Sequence, residues 1–264
     1  MATPRAATDL HGRVAVVTGS AGQLGQRIVD VLHRYGARVY GFDLGPTPVD
    51  GCHSVECDVG DPMSVRAAFD VVNREEASVD ILVNGAGVYD NMRFTHLLSP
   101  EQWARDIRIN LSGAFYTTRL ALPQMAKRRW GRIVNISSMS AGGAYKQSSY
   151  GASKSGLVSL TSTTALEYGR LGITANAVLP GLIRTSKTAA APADILDAAV
   201  KAIPSERFGE QDEVAQLVAF LASDRASYVN GVAWPIDGGT SLLQFKFTRP
   251  GDPSTTLAPL PKDT

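Results

Sequence analysis

Short apolar or β-branched runs alternate along the chain with longer amphipathic stretches, the pattern of a parallel sheet crossed by helices. Seven runs read as strands, over residues 13–18, 38–42, 54–57, 81–84, 132–136, 174–178 and 232–236. Several hold almost no polar residue, as in Val14-Ala15-Val16-Val17, and a strand covered by helices on both faces has no wet face for alternation to mark. The pattern predicts an α/β fold in a single domain: a doubly wound, seven-stranded parallel sheet with helices on both faces. Asp61-Pro62 and Ser99-Pro100-Glu101-Gln102 mark helix starts, each a capping side chain before a proline at the first helical position. Further helices are expected over 149–168, closed by Gly169, and over 212–222, with acidic residues in the first turn. Two stretches break the rhythm. Residues 186–207 hold an alanine-rich segment between Pro192 and Pro204 and are expected to form a small mobile helical cover. Residues 240–264, with four prolines and no period, read as an extended or partly disordered tail after a domain of residues 1–239.

Composition narrows the function classes. The chain has 264 residues, a length that one α/β domain can reach, and 26 Lys plus Arg against 25 Asp plus Glu. With a net charge of +1, nothing points to nucleic acid or a membrane surface as a partner. The start of the chain has no apolar leader segment and no run approaches the length of a membrane span, so a cytoplasmic location is expected. Charged residues make up 19%, below the roughly 25% usual for soluble domains, which suggests extra buried surface such as an oligomer contact. Cys52 and Cys57 come with no CxxC or HExxH spacing and read as ordinary thiols, so no metal site is expected.

The chemistry begins after the first strand, where Thr18-Gly19-Ser20-Ala21-Gly22-Gln23-Leu24-Gly25 opens a helix. Glycines let the backbone turn tightly and approach a pyrophosphate, and the unpaired amides of a helix start hold its negative charge. The second strand ends in Tyr40-Gly41-Phe42-Asp43, which puts a carboxylate 18 residues after Gly25. That is close to the spacing of about 20 at which a Rossmann fold holds the adenosine ribose hydroxyls. A 2′-phosphate at about 4 Å from this carboxylate would cost on the order of 4 kcal/mol per unit charge at an effective dielectric of about 20. The loop has no Arg or Lys to offset it, so NAD is expected over NADP.

Tyr150 and Lys154 lie four residues apart in Tyr150-Gly151-Ala152-Ser153-Lys154, on one face of a helix. The preceding strand, ending in Asn135-Ile136-Ser137-Ser138, should open onto the same crevice as the glycine loop. In order along the chain stand the Thr-Gly loop, Asp58-Val59, Asn84-Gly85-Ala86-Gly87, Ile109-Asn110-Leu111, Asn135-Ile136-Ser137-Ser138, Tyr150-x-x-x-Lys154, Pro180-Gly181 with Thr185, and Asp237-Gly238-Gly239. On these motifs the chain from Gly12 to Gly239 resembles the compact, single-domain branch of the short-chain dehydrogenase/reductase family.

The resemblance implies an oxidoreductase that moves a hydride between a secondary alcohol or its ketone and the nicotinamide of NAD. It makes Tyr150 the acid/base. A tyrosine of pKa near 10 is a poor base at neutral pH, so its surroundings must favour phenolate by about 4 kcal/mol, a task assigned to Lys154 and the nicotinamide charge. By the same resemblance Lys154 binds the nicotinamide ribose, Ser138 binds the substrate oxygen, and Asn110 holds a water in a proton relay. Gly19, Gln23, Leu24, Gly25, Asp43, Asp58, Val59, Asn84, Gly87, Pro180, Gly181, Ile183 and Thr185 are the implied cofactor-binding set. A homotetramer or homodimer on the helices near 99–128 and 149–168 is also implied, with Leu111, Phe115, Leu157 and Leu160 as candidate contacts. Substrate walls are expected from 89–97, 140–147 and 182–207.

The sequence departs from the family pattern in three places. Gln23 stands where the compact branch has its middle glycine, a spacing closer to the extended branch with its sugar-nucleotide epimerases. Only 25 residues follow Gly239, however, too few for that branch's substrate domain. Gly85 replaces a second asparagine, and Ser138 lies 12 residues before Tyr150, one fewer than usual. Adjacent strand residues face opposite ways, so only one of Ser137 and Ser138 can reach the substrate; Ser138 is favoured, with Ser137 and Ser140 as alternatives. A non-catalytic NAD-binding protein would not need Ser138, Tyr150 and Lys154 together, and a methyltransferase has no use for the Tyr-x-x-x-Lys helix.

Overall fold

The computed structural model describes residues 10–90, 92–189 and 192–244. Seven strands form one parallel sheet: β1 (Val14–Thr18), β2 (Arg38–Asp43), β3 (Cys52–Glu56), β4 (Ile81–Asn84), β5 (Gly131–Ile136), β6 (Ile173–Pro180) and β7 (Ala233–Ile236). Their order is β3-β2-β1-β4-β5-β6-β7, so the chain winds outward from β1 to one edge and then from β4 to the other. This is the doubly wound Rossmann arrangement, and it leaves a crevice at the carboxyl ends of β1 and β4, where the winding reverses. Thr18 stands in register with Phe42 on one side and Asn84 on the other, and Asn84 with Asn135.

The helices are α1 (Gln23–Arg34), α2 (Pro62–Glu75), α3 (Pro100–Ile107), α4 (Gly113–Arg128), α5 (Ser148–Tyr168), α6 (Ser186–Ala189), α7 (Ala193–Lys201) and α8 (Gln211–Leu221). Ala15 and Val17 of β1 pack into the layer holding Ile28, Leu32, Val214 and Val218 of α1 and α8. Val14 and Val16 pack into the opposite layer with Val65, Phe69, Leu122 and Met125 of α2 and α4. Alternate residues of one apolar strand thus feed two cores, each buried side chain contributing roughly 1.5–3 kcal/mol. Among the described residues no helix is long and apolar enough to cross a membrane.

The caps act as their side chains dictate. Asp61 accepts from the Met63 N–H at 2.9 Å, and Ser99 exchanges bonds with Gln102 in a capping box. α5 ends at Tyr168 with Gly169 as its cap, as expected, but Gly169 keeps a right-handed φ of -57° and the left-handed glycine comes three residues later. A 3₁₀ turn, Gly169–Leu171, follows and leads to Gly172, which has φ of 74° and where a Cβ would stand 2.4 Å from the Arg129 carbonyl oxygen. Residues 186–207 do carry two helical pieces, α6 and α7. The first tail residues are not extended: Thr240–Gln244 form a 3₁₀ turn, because Asp237 accepts from the Gly239 and Ser241 amides. The rest of the expected tail lies outside the described residues.

Candidate active site

At the β1–α1 turn, the site is built from backbone brought close to backbone. Gly19 has φ of 72°, and a Cβ there would stand 2.7 Å from the Ala86 backbone. A Cβ on Gly25 would stand 2.0 Å from the Gly19 carbonyl oxygen, and one on Gly85 would stand 2.8 Å from the Thr18 carbonyl. The Thr18 hydroxyl accepts from the Gly85 and Ala86 amides, each at 3.1 Å, and closes the same seam. Asp43 accepts from the Ala21 amide at 2.9 Å and from the Leu44 amide at 2.8 Å, so the carboxylate braces the glycine loop while its remaining lone pairs stay available.

A cleft of about 800 Å³ runs along this edge, from Gly19, Leu24 and Asp43 past Asp58, Val59 and Gly87 to Tyr150 and Thr185. A glycine cradle at the amino end of a 12-residue helix, followed by a long groove, fits a nicotinamide dinucleotide. Among the described residues no group of His, Cys, Asp and Glu could hold a metal. Both thiols are free, and burial pushes both up, Cys57 to about 11.

The other end of the cleft is built from side chains. Tyr150 and Lys154 stand one turn apart on α5, with the Lys154 ammonium nitrogen 5.5 Å from the Tyr150 ring centre. Lys154 is buried and donates to the Ile136 carbonyl at 2.8 Å. Of the three serines, Ser137 donates to the Lys154 carbonyl and Ser140 to Gln147, each at 2.9 Å, whereas the Ser138 side chain lies against Tyr150. Ser138 accepts from the Ser140 amide at 3.1 Å, which leaves its own proton to give.

Asn110 lies in a π-helical turn, Arg108–Ser112, between α3 and α4, the kind of wide turn that recurs at functional sites. Its side chain accepts from the Val88 amide at 2.7 Å and donates to the Val88 carbonyl at 3.0 Å. A Cβ on Gly87 would meet both Asn110 Oδ1, at 3.2 Å, and Lys154 Nζ, at 3.4 Å, so glycine there keeps the two groups facing one space.

Without the cofactor, burial dominates the electrostatics of the pair. Burial pushes the Tyr150 phenol up, only partly offset by Ser138, and pushes Lys154 down to about 8. Losing water disfavours both charged forms, and the same burial that brings the groups together holds each nearer neutrality.

Several candidate residues have side chains committed to partners within the protein, whether or not they also line the cleft. Asn84 points into the protein, donating to Asn135 at 2.8 Å and Thr118 at 3.2 Å and accepting from Thr117 at 2.6 Å. Gln23 turns toward α6, giving a bond to the Ser186 hydroxyl at 2.9 Å and taking one from the Ser186 amide at 3.0 Å. Ile183 packs against the core, bridged to Gly209. Pro180 ends β6, and the amide of the following Gly181 donates to the Ile236 carbonyl at 3.0 Å. Thr185 lines the cleft and also caps the short α6, accepting from the Thr188 amide at 3.2 Å. Asp58 accepts from Gly60 at 2.8 Å and faces Arg108 at 3.4 Å.

Of the candidate oligomer contacts, Leu157 belongs to the core, Leu111 and Leu160 are half-buried, and Phe115 is exposed. The reading of the sequence missed two links. Asn135 donates to Thr161 at 2.8 Å, tying α5 to β5, and Gln147 donates to the Tyr89 hydroxyl at 2.9 Å. The first had a signal, since a polar residue inside a wholly buried strand needs a partner.

Comparison with known proteins agrees with this geometry. Residues 19–241 match the family described as enoyl-(acyl carrier protein) reductase. The 3-oxoacyl-(acyl-carrier-protein) reductase MabA of Mycobacterium avium is 37% identical over 231 residues, which cover 87% of this chain and 90% of the relative. Oxidoreductase UcpA of Salmonella typhimurium is 36% identical over 255 residues, 88% of this chain and 96% of the relative. The crystal structure of levodione reductase superposes with a TM-score of 0.84 at 32% identity, covering 88% of this chain and 99% of that one. A nicotinamide-binding Rossmann fold with these matches along most of its length identifies the chain as an oxidoreductase of the short-chain dehydrogenase/reductase family.

Proposed function

We propose that this protein is an NAD-dependent oxidoreductase that interconverts a secondary alcohol and its ketone, with Tyr150 moving the hydroxyl proton. One observation carries the reading: a single cleft wall includes both Asp43 and Tyr150, and among the described residues that lining holds two aspartates and no lysine or arginine. A 2′-phosphate would meet like charge beside Asp43, whereas ribose hydroxyls would find acceptors. The nicotinamide, when bound, accepts or supplies the hydride at the substrate carbon.

The residues of the chain handle the oxygen and its proton. Ser138 donates to the substrate oxygen and holds it beside Tyr150. Tyr150 takes the hydroxyl proton in oxidation and returns it in reduction, the general acid/base step that contributes roughly 10²–10⁴-fold. Lys154, fixed by the Ile136 carbonyl, keeps donors for the ribose hydroxyls on the nicotinamide side. Asn110 supports the Val88 backbone opposite Lys154 and closes the far side of the same space. Two relatives are named as reductases of a 3-oxoacyl group and of levodione, which supports carbonyl chemistry without naming this protein's substrate. We also propose a homotetramer or homodimer through α4 and α5, where Phe115 and Leu166 are exposed; light scattering would return a monomer if this is wrong.

The cofactor assignment is tested by Asp43→Ala. The ratio of kcat/KM for NAD over NADP is expected to fall at least about tenfold as the like charge is removed. A variant that keeps strict NAD preference would contradict the assignment.

A further inference from the structure

Three side chains outside the Tyr150–Lys154 pair form a directed chain of hydrogen bonds that ends at Tyr89, whose ring lies against that of Tyr150. Ser140 donates to the Gln147 side-chain carbonyl at 2.9 Å, and the Gln147 side-chain NH₂ donates to the Tyr89 hydroxyl at 2.9 Å. An amide carbonyl only accepts and an amide NH₂ only donates, so the Tyr89 oxygen is an acceptor in this chain and its proton is left over. No acceptor among the described residues takes that proton. The Tyr89 ring centre lies 4.8 Å from that of Tyr150, tilted by 55°, and Tyr89 is 42% exposed. The backbone holds the pair in place: Arg93 donates to the Lys146 carbonyl at 3.0 Å and is bridged to Gln147, which joins the loop after β4 to the start of α5. Burial pushes the Tyr89 phenol up, so it keeps its proton near neutral pH.

We propose that Tyr89 is a substrate-binding residue that donates a hydrogen bond to a second oxygen of the substrate, making alcohols and ketones with a neighbouring hydroxyl or carbonyl the favoured class. Gln147 is the positioning residue that turns the Tyr89 proton outward. This rests on the oxidoreductase reading of the same cleft. It adds to that reading, because proton transfer at Tyr150 requires one substrate oxygen and Tyr89 selects for another. A donor that goes unpaired when the second oxygen is missing discriminates more sharply than added apolar contact does.

The test uses pairs of compounds that differ by one oxygen next to the reacting carbon, such as cyclohexanol with cyclohexane-1,2-diol and butan-2-one with 3-hydroxybutan-2-one. Activity is read as the change in reduced-nicotinamide absorbance. The wild-type protein is expected to favour the member with two oxygens at least about tenfold in kcat/KM, and Tyr89→Phe, which keeps the ring, to bring the ratio close to one. Gln147→Glu is expected to do the same with Tyr89 intact, because a carboxylate only accepts and would draw the tyrosine proton inward. Equal losses on both members in Tyr89→Phe, an unchanged ratio in Gln147→Glu, or no wild-type preference would each overturn the assignment of Tyr89. Failure of the wild type to turn over any alcohol or ketone would instead defeat the oxidoreductase reading, and this proposal with it.

Discussion

The two ends of the cleft are made by opposite means. At the β1–β2 end the site exists because side chains are missing: Gly19, Gly25 and Gly85 let three backbone segments approach to distances no Cβ would tolerate. At the β4–β5 end it exists because buried polar side chains are present and satisfied. Asn84 and Asn135 stand side by side on neighbouring strands, and through Thr117, Thr118 and Thr161 they fasten α4 and α5 to the sheet. Tyr150 and Lys154 ride on the same α5. The difference separates two tasks. A pyrophosphate needs many amides at close range, which bare backbone supplies. Proton transfer needs a few side chains held within a fraction of an ångström, which a saturated hydrogen-bond network supplies.

Tyr150→Phe gives the largest expected effect and separates the two ends. Removing one hydroxyl should lower turnover at least about 10³-fold, while binding of reduced nicotinamide dinucleotide, followed by fluorescence, stays measurable. Wild-type rates in this variant would end the proposed mechanism. Gly25→Ala strikes the opposite end. Its Cβ would fall 2.0 Å from the Gly19 carbonyl, so the loop must open. Urea unfolding should show a loss of about 3 kcal/mol, with dinucleotide binding lost as well. If binding survives unchanged, the close-packed seam is not what holds the cofactor.

Lys154→Met probes the cost of placing a charge in the polar half, and it is the smallest of the three effects. Lys154 is pushed from 10.5 down to about 8 by burial, so below pH 8 the folded chain carries a charge that the unfolded chain holds more easily. As pH rises from 8 towards 10.5 the unfolded chain binds more protons at this site than the folded chain does, and the wild type gains stability. Relative to Lys154→Met, the cofactor-free wild type should gain on the order of 2–3 kcal/mol between pH 7 and pH 10. A gap that stays constant with pH would show that the ammonium is not desolvated.

The glycine half was the more legible in sequence, since Gly19, Gly25 and Asp43 sit at fixed offsets from an apolar strand and local backbone sterics give those offsets meaning. The polar half was legible only as a set of residue types. Tyr150 and Lys154 could be placed on one helix face and Ser138 favoured over Ser137 and Ser140, but the physical reason lies in the structure, where the Ser138 side chain faces Tyr150 and the other two hydroxyls are committed to Lys154 and Gln147. Gln23 lines the cleft at the cradle, and its side chain also bonds Ser186, which is 163 residues away. No local pattern reports such a contact.

From sequence alone came the seven strands, their alternation with helices, the bare turns and the chemical types gathered at the strand ends. All of these follow from steric preference and periodicity within a few residues. The folded molecule decided how the polar groups pair and how far burial shifts them. Asn84 meets Asn135 across 51 residues of chain, and the proton affinities of Tyr150 and Lys154 are set by every atom that excludes water from them. Hydrogen bonding and desolvation depend on neighbours in space, and only the tertiary structure brings those neighbours together.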